Sequence, residues 1–232
     1  MKKRVRVISN LIIVSIFVVL IAIISPIKTT IHTTVNANVF YNGDTTKNNV
    51  SFMVNVYWGN EYIEDMLDVF DLFKVKTTFF VGGSWAAKNI DLLKEIHLRG
   101  HEIANHGYNH KDQDKLTKQQ NIDEISMNHK LIKANIDVEM TLFAPPSGAY
   151  DNELVDIATE LNYKTIMWTH DTIDGRDQDK DLIYERATSK LTNGDLILMH
   201  PTKATLEALT SILNYSQNKG FNVTTVSNTI GI

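Results

Sequence analysis

From Val50 onward, short apolar runs alternate with longer stretches in which apolar residues recur at helical spacing. VSFMVNVYW (50–58) precedes an amphipathic stretch from Glu61 to Phe73, and VKTTFFVGG (75–83) precedes another from Trp85 to Leu98. The alternation continues with HEIANH (101–106), a helical segment near Leu116 to Ala134 with Ile122, Ile125 and Ile132 on one stripe, and VEMTLFAPP (138–146). It ends with helical patterns over Glu153–Leu161, Leu182–Leu191 and Ala204–Asn218, set between the runs YKTIMWTHD (163–171), DLILMH (195–200) and FNVTTV (221–226). About seven strand–helix units predict an α/β fold with a parallel sheet, open or rolled into a barrel. Site residues in such folds gather where the strands end and the βα loops begin.

The first 49 residues read differently. Lys2, Lys3, Arg4 and Arg6 precede an uncharged stretch, Val7 to Ile24, rich in Ile, Val and Leu. About 18 apolar residues are at the short end of what spans a bilayer as a helix, and the basic flank predicts a cytoplasmic start with the remainder extracytoplasmic. A cleaved signal peptide is the competing reading, but the one small-residue site, near Val35 and Ala37, lies far beyond the apolar stretch. The Thr- and Asn-rich segment 25–49 reads as a tether. The predicted order is a basic tip (1–6), a single-pass transmembrane anchor or uncleaved signal (7–24), a tether (25–49) and a globular domain (50–232), which places the protein at the cell membrane.

Net charge is -4, without a long run of Lys or Arg, which argues against a nucleic-acid partner. The chain has no Cys, so any metal must be held by His, carboxylates or water.

His106 and His110 stand four residues apart just after a predicted strand. In a helical turn that spacing puts both imidazoles on one side, able to bind a divalent metal such as zinc; half-exposed loop histidines have the same spacing. His200 leaves another apolar run and has the chemistry of a general acid, or of a buried core histidine. Asp171 and Asp174 lie at a further strand end, where helix caps would look identical. Tyr57, Trp58, Tyr108, Tyr150 and Trp168 offer faces on which sugars stack, although each also suits core packing.

Taken in order, WGNE (58–61), GHEIANH (100–106), PPSGAY (145–150), DTID (171–174) and LMHPTK (198–203) resemble the polysaccharide deacetylases, the NodB-homology domain of carbohydrate esterase family four, and the sporulation-type bacterial members in particular. The resemblance runs from Val50 to the C-terminus. It implies a distorted (β/α) barrel, a divalent metal on one Asp and two His, an Asp base, a His acid and a cell-wall glycan, of peptidoglycan or spore wall, as partner.

Carried over, His106 and His110 match the metal histidines and His200 the acid. Trp58, Pro146 and Tyr150 fall at substrate-binding positions. The base position holds Asn55 and the metal-carboxylate position Val56; Ala144 stands for an Arg expected to pair with Asp174, and Gly175 for a Trp. An amide cannot take a proton from water and a valine cannot coordinate a cation. Two expectations follow: a barrel kept for binding glycan or a protein partner with N-deacetylation lost or reduced, or an active deacetylase with weak metal on the two histidines and a substitute base among Asp112, Asp171 and Asp174. Arg176 is the candidate to replace the missing Arg.

Overall fold

The computed structural model describes residues 38–232. The basic tip, the predicted anchor and residues 25–37 of the predicted tether lie outside the described residues. Among the described residues, no helix is long and apolar enough to cross a membrane.

In chain order the elements are β1 (Val39–Phe40), β2 (Asn49–Val56), α1 (Asn60–Leu72), β3 (Thr78–Val81), α2 (Gly83–Ala86), α3 (Ile90–Leu98), β4 (Glu102–Asn105) and α4 (Lys118–Ile136). There follow β5 (Leu142–Phe143), α5 (Asn152–Glu160), β6 (Lys164–Ile166), β7 (His170–Asp171), α6 (Lys180–Thr188), β8 (Leu196–Met199), α7 (Lys203–Asn218), β9 (Asn222–Val223) and α8 (Val226–Ile230). The strands pair in parallel in the order β1-β6-β5-β4-β3-β2-β8-β7, with β9 beside the start of β2. This is the parallel β/α architecture expected, curled but with unpaired edges at β1 and β7. Residues 167–169 span the seam. Met167 donates its N–H to Phe40, Thr169 donates its N–H to Leu196, and the Thr169 hydroxyl donates to the Tyr41 carbonyl.

The end of the predicted tether is corrected by β1. Val39 and Phe40 pair with Thr165 and Ile166, and the Gly43 N–H bonds the Gly194 carbonyl. Two residues of strand in a polar stretch carry no periodicity, and only the long-range partner makes them a strand.

β2 shows the two-residue period directly. Val50, Phe52, Val54 and Val56 enter the main core beneath the helices, with Ile63, Leu67 and Phe70 of α1 and Leu209 and Ile212 of α7. Met53 faces the other way, into a smaller cluster with Phe80, Ala104, Leu142, Ile166 and Leu196. Burying one such Phe, Leu or Ile contributes ~1.5–3 kcal/mol, so the register is held strongly: a one-residue slip would reverse every side chain. α1 begins at Gly59, whose φ of +83° and 2.1 Å approach of a hypothetical Cβ to the Pro201 carbonyl exclude a side chain.

Candidate active site

Register brings the site together. Met53 and Val54 lie opposite Leu198 and Met199, so Asn55 and His200 reach the same end of adjacent strands, while Val81 opposite Asn105 puts His106 one residue beyond β4. Here a cavity of about 210 Å³ opens. Asn55, His106, His110, Asp171 and His200 line it, with Tyr57, Trp58 and Trp168 as aromatic walls and Leu198, Ser147 and Gly148 completing it. Of the residues at predicted substrate-binding positions, Trp58 lines it and Pro146 and Tyr150 do not, while Tyr57 and Trp168, named as candidate stacking faces, line it as well. Pro146 is buried, and the Tyr150 ring packs toward the main core with its hydroxyl 2.5 Å from that of Tyr41.

The histidine pair is not on a helix. Gly107 and His110 adopt left-handed φ values of +68° and +53°, and this turn sets the ring centroids 5.0 Å apart. His106 is buried with Nδ1 2.8 Å from the Ala144 carbonyl. Since a carbonyl only accepts, Nδ1 carries the proton and Nε2 is the free lone pair. Burial, then the neighbouring His110, pushes the His106 imidazole down to about 3; burial also lowers His110. Both rings therefore stay neutral at physiological pH.

Glu124 of α4 holds this turn. Its buried carboxylate accepts the N–H groups of Tyr108 and Asn109 at 2.9 and 2.6 Å and the Asn109 amide at 2.7 Å. Asn105 supports it by accepting the Gly107 N–H, while Asn128 donates to Asn105. Sequence reasoning missed this set, because it followed α4 only through the apolar stripe of Ile122, Ile125 and Ile132.

His200 is oriented by Asp174. Its Nδ1 lies 2.8 Å from one Asp174 oxygen, while the other accepts the His200 N–H and the Thr205 hydroxyl, each at 2.6 Å. Burial would raise the Asp174 carboxyl, but the His200 and Thr205 bonds outweigh it and hold the group below its usual range. The expectation that Asp174 lacks a partner is thus corrected: His200 is its partner. Arg176 does not replace the missing Arg, since it binds Asp177 through two 2.9 Å bonds. Trp58 stacks on His200 with an 8° interplanar angle, and Tyr57 on His110 at 23°.

The polysaccharide deacetylase profile matches residues 42–166, over half of the chain. This chain belongs to the polysaccharide deacetylase family. The uncharacterized protein YlxY of Bacillus subtilis is 40% identical over 204 residues, 88% of this chain; the chain spans 64% of YlxY's length. A peptidoglycan-N-acetylglucosamine deacetylase of Bacillus cereus is 28% identical over 176 residues, covering 72% of this chain and 80% of its own. Among solved structures, wild-type BA3943 of Bacillus anthracis, described as a CE4 family pseudoenzyme, matches with a TM-score of 0.81 at 34% identity over 83% of this chain and 68% of its own. A BA3943 mutant with restored enzymatic activity matches equally well, with a TM-score of 0.81.

The departure that bears most on chemistry is at the β2 terminus. Asn55 is 5% exposed and its Oδ1 has no hydrogen-bond partner, although it borders the cavity. Val56 is fully buried in the main core and does not line the cavity. A catalytic zinc site takes three protein ligands, yet among the described residues no group of three His or carboxylate side chains could hold a metal. The residues present therefore do not fit the complete metal site that the family implies. Of the substitute bases, Asp112 is tied to Lys115 at 2.6 Å, which lowers its carboxyl and makes it a poorer base, and it is not among the lining residues. Asp174 is committed to His200. Asp171 alone lines the cavity, with one oxygen accepting the Ile173 N–H. A Cβ on Gly175 would lie 4.0 Å from the Trp58 ring, in ordinary van der Waals contact.

Proposed function

We propose that this protein is a catalytically silent polysaccharide deacetylase homologue that engages cell-wall glycan outside the membrane, held there by its N-terminal apolar segment. The observation that carries the reading is the amide at position 55. The Asp174–His200 pair is built and oriented, but the strand end that should present a base presents a neutral carboxamide with an unpartnered oxygen. A general base typically contributes ~10²–10⁴-fold, and the incomplete ligand set removes the means to polarise an acyl group as well. A glycan partner is supported by the kinship with peptidoglycan deacetylases and by the aromatic walls. The similarity to a family pseudoenzyme supports the silence. The N-terminal basic and apolar pattern supports the location.

The second reading is residual deacetylation with Asp171 as base, which its place in the cavity favours. The two separate in acetate release from N-acetylated peptidoglycan fragments by the full chain with Zn²⁺ supplied. Silence predicts the blank rate for the natural chain and for Asp171→Asn alike. Release that Asp171→Asn abolishes would establish the second reading instead.

A further inference from the structure

We infer that the cavity takes a cationic amino group, and that the ligand suited to it is a glycan unit bearing a free, protonated amine, such as glucosamine, in preference to an N-acetylated unit. The inference rests on the silent reading above, because a pocket that performs no hydrolysis is free to recognise the amine-bearing sugar.

The argument starts from lone pairs. Asn55 Oδ1 is buried and has no protein partner. His106 commits Nδ1–H to the Ala144 carbonyl, which leaves the Nε2 lone pair for the cavity. His200 is held through Nδ1 by the Asp174 carboxylate, which leaves Nε2 as its remaining ring nitrogen. Asp171 adds a carboxylate, and no Lys or Arg lines the cavity. Arg176, the cation whose field reaches Asp171, is paired with Asp177. Asn55 Oδ1, His106 Nε2 and the Asp171 carboxylate thus bring three acceptor groups to one cavity, with one negative charge among them.

An ammonium brings three donors and no acceptor and so complements this arrangement, whereas an acetamide brings one donor and a carbonyl that needs a donor in return. Burying a carbonyl beside lone pairs that cannot donate to it leaves its own hydrogen bond unmade. The walls add to the preference. Tyr57 and Trp58 line the cavity and are 37% and 42% exposed, each with one ring face already stacked on His110 or His200. Aromatic faces attract cations and stack on sugar rings. A volume of about 210 Å³ limits the occupant to about one sugar unit, being below the ~300–1,000 Å³ of sites that enclose drug-sized ligands.

A divalent cation shares this lone-pair chemistry, so the test needs arms for both. Binding of a glucosamine tetramer and of an N-acetylglucosamine tetramer to the full chain would be compared by calorimetry in EDTA, with Zn²⁺ titrated separately. The expected result is tighter binding of the glucosamine tetramer by about 10-fold or more. Asp171→Asn and Asn55→Leu should each weaken it. Asn55→Asp, which keeps the side-chain shape should Asn55→Leu fail to fold, should strengthen it. Equal or tighter binding of the acetylated tetramer, without acetate release, would overturn this inference and leave the silent reading standing. Acetate release from that tetramer would overturn the silent reading itself. Zn²⁺ binding that depends on His106 and His110, with no binding of the glucosamine tetramer, would also overturn the inference by assigning the lone pairs to a metal.

Discussion

Asn55 and Val56 are neighbours in the chain, but β2 turns them to opposite sides: one borders the cavity, the other lies in the core under the helices. The resemblance aligned both with catalytic carboxylates, and a sequence cannot tell which side a strand's last residue faces when both candidates are uncharged. The difference has an energetic consequence. A carboxylate at 55 borders a cavity that opens to water; one at 56 begins among apolar side chains, where an unpaired charge is costly. Val56→Asp should lower stability by ~3 kcal/mol or more, and Asn55→Asp by less than ~1.5 kcal/mol, as measured by urea unfolding of the full chain. Equal losses would mean that Val56 also reaches the cavity. Asp174→Asn tests the other buried group. An amide in place of a carboxylate that accepts three bonds should cost ~2–4 kcal/mol, and the stability that Asp174 contributes above its unfolded pKa, which fades as pH falls through its lowered folded value, should disappear with it.

At the scale of elements, much of the alternation from 50 to the C-terminus was legible, because β2, β3 and β8 are short runs rich in Val, Phe, Leu and Met and α1, α5 and α7 keep one apolar face. α4 was legible as a helix but not in its role. Its buried positions include Asn121, Glu124 and Asn128, which look like a solvated stripe until the turn they hold is known. The same blindness hid the histidine geometry: the i, i+4 spacing was readable, but the left-handed turn and its Glu124 clamp were not. Glu124→Gln should therefore loosen the loop without unravelling the sheet. Hydrogen exchange at the Tyr108 and Asn109 amides should speed up, by about 10-fold for a loss of ~1.4 kcal/mol, while amides of β2 keep their protection. Parallel acceleration in β2 would show that Glu124 supports the fold as a whole.

At the scale of the whole molecule, one buried group unrelated to the cavity ties stability to pH. His101 is 3% exposed and sits against Phe70 and Phe79, with Nδ1 accepting the Thr77 N–H and Nε2 lacking a partner. Burial first, then Lys76, lowers its imidazole from 6.5 to about 4, against a smaller opposing pull from Asp71. A lowered folded value means that the unfolded chain binds the extra proton first. The contribution of His101 is complete above about pH 6.5, falls between 6.5 and 4, and levels off below; the shift corresponds to roughly 3 kcal/mol. His101→Asn, which keeps an acceptor for Thr77, should flatten that part of the curve relative to the natural chain. An unchanged slope would assign it to other groups, His106 among them.

The central claim is that this family fold has kept its oriented His200 and lost its chemistry at the end of β2, and acetate release over time from N-acetylated peptidoglycan fragments by the full natural chain tests it most directly. With Zn²⁺ supplied, the rate should equal that of His200→Ala and of the protein-free blank. Release above blank that disappears in both His106→Ala and His200→Ala would contradict the account.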